Sequence, residues 1–134
     1  MTENEQKNDI HERMFQWVIA VLKFIDKIPK TVKTIPIISQ LTDSITSVGA
    51  NDKEANSATT VKDFCHKYGI VKKEADESIY WLRLIGELFD RLQQESKKLQ
   101  NEGQEIIKIV ATIIRNSQKT SQMRKLQAKG KSLC

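Results

Sequence analysis

The stretch TVKDFCHKYGIVKKEADESIYWLRLIGELF, residues 60–89, carries the clearest pattern in the chain. Phe64, Tyr68, Val71, Ala75, Ser78, Leu82, Ile85 and Phe89 follow one another at alternating steps of four and three. That is the spacing of one continuous seam on a helix packed in a bundle, because side chains three and four residues apart share a helix face. Thr60 followed by Asp63 has the form of a capping box, with Asp where Glu or Gln is usual. The spacing predicts a helix over 60–90.

Working outward, the same periodicity appears three more times. Leu92, Ser96, Leu99, Gly103, Ile106, Val110 and Ile113 continue the rhythm, widened by Ile107 and Ile114, and predict a helix over 94–120 with a basic tail at 121–134. No Gly or Pro marks the turn between these two segments. It is placed near Asp90–Gln94 because an unbroken helix of about fifty residues is improbable in so short a chain. Upstream, Ile38, Leu41, Ile45 and Val48 predict a helix over 35–57, with Thr34 as a capping hydroxyl ahead of Pro36 and a possible kink at Gly49. Ile10, Met14, Trp17, Val18, Val21, Ile25 and Ile28 predict the first helix, over 8–28, ended by Pro29.

The chain has 134 residues, of which only five are Gly and two Pro. That is room for one core and too little turn chemistry for a sandwich or a string of βα units. Four helices joined by short loops predict a single all-α domain, an up-down-up-down antiparallel four-helix bundle.

Several function classes fall away on the residues alone. The most apolar stretch, 14–28, is interrupted by Gln16, Lys23, Asp26 and Lys27 and is too short to cross a bilayer. An acidic, polar start and only two cysteines, Cys65 and Cys134, predict a protein of the reducing cytoplasm. A di-iron bundle needs carboxylates and two Glu-x-x-His pairs; the chain offers one Asp63-Phe-Cys-His66, and its other histidine, His11, falls in a terminus expected to fray. Cys65 and His66 are adjacent on a helix and point about 100° apart, so they make no nucleophile and base pair. No glycine-rich phosphate loop is present. The expectation is a protein without enzymatic activity and without a cofactor or metal.

Two features remain. The first is a pair of polar stripes beside the apolar seams: Ser44, Ser47, Asn51 and Glu54 on the second helix, and Asp63, Lys67, Ile70, Glu74, Glu77 and Trp81 on the third. A solvated face accounts for either stripe alone. A tryptophan ringed by polar groups is also what subunit interfaces use, so Ser47, Asn51, Glu54, Asp63, Glu74, Glu77 and Trp81 are candidates for contacts between helices or between subunits.

The second feature is the distribution of charge. The net charge of +5 hides a segregation: residues 1–105 carry 15 Lys/Arg against 17 Asp/Glu, whereas residues 106–134 carry seven Lys/Arg and no acid. Lys108, Arg115, Lys119, Arg124, Lys125, Lys129 and Lys131 form a basic end with Gln and Ser between them and no aromatic side chain. Such a segment fits RNA or DNA held through phosphates, with strong salt dependence and little sequence preference. It has too few large apolar residues for a membrane surface, and solubility alone also accounts for it.

The run Gln40-Leu41, Ser44, Thr46-Ser47, Gly49-Ala50-Asn51, Glu54-Ala55, then Asp63-Phe64, Lys73-Glu74-Ala75, Glu77 and Tyr80-Trp81-Leu82 closely resembles the bacterial four-helix-bundle proteins encoded by intervening sequences in 23S ribosomal RNA genes. T-S-x-G-A-N-x-x-E-A and K-E-A-x-E-x-x-Y-W-L occur in that order, and the likeness is strongest over residues 35–85. It departs at Thr60, where the family more often has serine, and at Gly69. The resemblance implies a ring-like homopentamer with no established enzymatic activity. Related bundles are accessory proteins of reverse transcriptases in diversity-generating retroelements, where a basic surface accompanies nucleic-acid binding. In a pentamer five weak basic ends would act together. The leading expectation is therefore nonspecific nucleic-acid binding through the C-terminal basic residues; the alternative is a protein-binding scaffold or accessory subunit with no direct nucleic-acid role.

Overall fold

A computed structural model describes residues 3–132, with side chains from Ile10 to Gly130. Those residues form four α-helices and one short 3₁₀ turn, with no strand: α1 Glu3–Ile25, α2 Thr34–Asn56, α3 Val61–Leu88, the turn Asp90–Leu92, and α4 Gln93–Ser132. Each helix packs against its neighbours in the sequence, and α1 and α4 also meet, closing a four-helix bundle.

Local chemistry accounts for most of the helix ends. Thr60 caps α3, its hydroxyl accepting from the Asp63 N–H at 3.1 Å. The turn between α3 and α4 falls at Asp90–Leu92, where the Phe89 backbone is extended and the Leu92 N–H bonds the Phe89 carbonyl. Helix α2 runs through Gly49 without a break.

Three expected boundaries shift. Helix α1 stops at Ile25 rather than 28. The residue before a proline disfavours the helical conformation, and Lys27 and Ile28 close tighter turns onto the carbonyls of Phe24 and Ile25. Thr34 does not cap α2. Its hydroxyl is buried and turned backward, accepting from the Thr31 N–H and donating to the Pro29 carbonyl, while the Thr31 hydroxyl receives the Thr34 N–H. The largest shift is in α4, which continues to Ser132, so the segment expected as a tail is helical at least that far. Between Gln93 and Lys129 no proline interrupts the chain, and lysine and arginine near a helix C-terminus complement its dipole. Cys134 lies outside the described residues.

The core is built from the predicted seams. On α3, Tyr68, Val71, Ala75, Ser78, Leu82 and Ile85 are buried, in the 3₁₀ turn Leu92, and on α4 Ser96, Gly103, Ile106 and Val110. Gly103 allows the tightest approach: a Cβ there would lie 2.5 Å from the Trp17 ring and 2.9 Å from Ile79. Trp17 is in turn anchored by its indole N–H, which donates to the Leu99 carbonyl at 2.9 Å. Arg13 on α1 grips Glu102 on α4 through two bonds of 2.7 and 2.9 Å, and Lys27 reaches Glu95 at 2.9 Å.

Candidate nucleic-acid interface and the polar seam

The cationic candidates all belong to α4. Lys108, Arg115, Lys119, Arg124, Lys125 and Lys129 are exposed, and the Lys131 side chain lies outside the described residues. At 100° per residue, Lys108, Arg115 and Lys119 fall on one face, opposite the core-facing Ile106, Val110 and Ser117. Lys108 is paired with Glu105 at 3.3 Å, and Arg115 donates to Thr112. Arg124 occupies the angular position of the buried seam and is nevertheless exposed. The bundle no longer covers α4 there, because α3 begins only at Val61, beside Gln118–Lys125.

Sequence reasoning missed that α3 contributes to this basic end. Lys62 and His66, one helical turn apart, line a groove of about 640 Å³ together with Gln118, Ser121, Gln122 and Lys125. Their spacing of four signalled a shared face; which helix that face would meet was not legible.

The polar stripes divide. Glu54 on α2 pairs with Lys67 on α3 at 2.8 Å, and this ion pair holds the lysine charged, raising its pKa. Deeper in the same seam the buried Ser78 hydroxyl donates to Ser44 Oγ at 2.8 Å. The other candidates bond within their own helices: Asn51 to Ser47, and the Trp81 indole N–H to Glu77 at 3.3 Å. The Asp63 backbone N–H serves the Thr60 cap, and the Asp63 side chain is exposed. Glu74 is half-buried, and burial followed by the nearby Glu77 charge pushes its carboxyl up, against the opposing effect of Lys73.

A second polar cluster was not foreseen at all. Asp52 on α2 is 7% exposed and accepts from two other helices: His11 Nδ1 lies 2.7 and 2.9 Å from its oxygens, and the Tyr68 hydroxyl donates at 3.0 Å. His11 is thus held within α1, not frayed. Burial, then the Asp52 charge, pushes the Tyr68 phenol well above its ordinary range. Residues 11, 52 and 68 are too far apart in sequence for any spacing rule to connect them. Among the described residues no group of three or more His, Cys, Asp or Glu is arranged to hold a metal, and no helix is long and apolar enough to cross a membrane.

These features define a class: an all-helical bundle with an ion-paired, densely packed body and an exposed, acid-free helical end. The profile of the 23S rRNA-intervening sequence proteins matches residues 6–112, and the chain belongs to that family. It is similar to a crystal structure of a protein of unknown function from the S23 ribosomal protein family of Bacteroides thetaiotaomicron, with a TM-score of 0.74 and 28% identity over 81% of this chain and 97% of that one. No curated protein matches. The family match ends at residue 112, before the exposed part of α4.

Proposed function

We propose that this chain is a non-enzymatic, cytoplasmic, oligomeric bundle that binds RNA or DNA nonspecifically through the C-terminal part of α4. The observation that carries the reading is the coincidence of charge and exposure: residues 106–132 of the acid-free segment are one continuous helix, and its described cations, from Lys108 to Lys129, are exposed. Phosphate contact suits such a surface, since it requires cations and no base-specific groups.

In this reading the helices run up-down-up-down. The approach of Gly86 to Ser96 at one end of the α3–α4 pair, and of Val61–His66 to Gln118–Lys125 at the other, supports that order. The chain assembles as a ring-like homopentamer. Half-buried Trp81, with exposed Tyr80 stacked edge-on against it at 4.9 Å, is the aromatic surface best suited to a subunit contact.

Titration of fluorescent RNA at low salt tests the binding. Wild type is expected to bind with steep salt dependence, and a chain lacking residues 115–134 to lose most of that affinity; equal affinities would overturn the reading. Light scattering should give five times the 15.4 kDa chain mass, reduced by Trp81→Glu; a monomer mass for wild type contradicts the ring. The scaffold reading draws on the exposed apolar side chains Phe15 and Tyr80. A protein partner retained after nuclease treatment and after removal of residues 115–134 would favour it.

A further inference from the structure

We infer that the groove between the first turns of α3 and the C-terminal part of α4 is a seat for the phosphodiester backbone of a nucleic-acid strand. The inference rests on the nucleic-acid reading above and adds to it a place and a second helix. The groove has a volume of about 640 Å³, and its lining includes Lys62 and His66 from α3 and Lys125 from α4, with Gln118, Ser121 and Gln122 as neutral hydrogen-bonding groups. Among the described residues no carboxylate lines it.

Three cations of the bundle body meet acids on another helix or segment: Arg13 meets Glu102, Lys27 meets Glu95, and Lys67 meets Glu54. Among the described residues Lys62, His66 and Lys125 form no such ion pair. The nearest acid in sequence, Asp63, acts on Lys67 instead. The Lys62 and Lys125 charges facing each other across the groove repel, which weakly opposes folding. An anion seated between them removes that repulsion.

The lining also selects the kind of anion. Val61 is its one large apolar side chain, so it offers little to a lipid surface. Among the described lining residues no Phe, Tyr or Trp offers a stacking platform, so binding should depend little on sequence. A single phosphate would be held weakly by such solvated groups. A polyanion also engages Lys119, exposed on the same stretch of α4, and gains from linked contacts.

The test uses the full chain and fluorescence anisotropy with oligo(U) RNA and oligo(dT) DNA, each titrated across salt. The variant K62Q/H66Q alters only α3, and K97Q/K98Q, at the opposite end of α4, is its control. K62Q/H66Q is expected to weaken binding about tenfold at low salt and to flatten the salt slope by about one. K97Q/K98Q is expected to bind as wild type does, and both should keep the wild-type circular dichroism. Equal loss in the two variants, or none in either, overturns the groove while leaving the α4 reading standing. Absence of binding by wild type overturns both. Comparable losses with RNA and DNA identify the shared backbone as the ligand; a loss confined to one identifies that strand. Binding to anionic phosphatidylserine vesicles but to neither oligonucleotide would overturn the proposal in favour of a membrane.

Discussion

The two halves of α4 obey different rules, although they are one helix. From Leu99 to Val110 the helix is held by its neighbours: Trp17 bonds the Leu99 carbonyl, Arg13 clamps Glu102, and the missing side chain of Gly103 admits Trp17 and Ile79. From Arg115 to Gly130 almost every residue is exposed, and the helix rests on backbone hydrogen bonds and propensity. Charge follows the same division, since acids occur only before residue 106, where Asp52, Glu54, Glu95 and Glu102 pair with residues outside their own helix. The same substitution should therefore have opposite consequences in the two halves.

The largest effect is expected away from α4, at the buried carboxylate that joins three helices. Asp52→Ala leaves the Tyr68 hydroxyl without its acceptor in the interior and should cost about 3 kcal/mol in a denaturant melt, in the range for breaking a buried hydrogen-bonded pair. A cost below about 1 kcal/mol would show that the cluster is dispensable. Next, Gly103→Ala drives a Cβ into the Trp17 ring, which its bond to Leu99 keeps from yielding. Overpacking of about 1–3 kcal/mol should exceed the gain in helix propensity of about 1 kcal/mol, lowering the melting temperature. Gly130→Ala meets nothing within 4 Å and should raise helicity by circular dichroism without moving the main transition. If both variants behave alike, the division of α4 is wrong.

Two smaller effects concern pH. The folded chain keeps the Tyr68 proton to a higher pH than the unfolded chain, whose phenol ionises near 10. The unfolded state therefore binds fewer protons above pH 10, and stability should fall as pH rises there. Tyr68→Phe should remove that part of the alkaline slope. Smallest is Glu74, whose carboxyl is raised in the fold, so that its charged form is disfavoured at neutral pH. Glu74→Gln should be neutral to slightly stabilising at pH 7, and its difference from wild type should vanish as pH falls through the carboxylate range. A clear destabilisation would mean that Glu74 has a partner in an assembly.

Legibility in the sequence followed the range of the interaction. The α3 seam and the Thr60 cap were readable because they depend on residues three or four apart. The end of α4 was misjudged because the loss of apolar side chains after Ile114 was taken for the loss of helix. Apolar spacing reports packing against a partner, and a helix can outlast its partner. The Lys67–Glu54 pair was half visible, as two stripes without a register between them. His66 is an exposed helix residue, and its membership in a groove with Lys125 had no local signal.

What the sequence by itself determined is the number of helices, the seams they bury and the segregation of positive charge to one end. These follow from periodicity and composition, which act along the chain. Only the tertiary structure decided that His11, Asp52 and Tyr68 meet, that Gly103 receives Trp17, and that Lys62 and His66 face Lys125. Such contacts depend on how helices are rotated and set beside one another. That arrangement is chosen by the packing of the whole core rather than by any short stretch of residues.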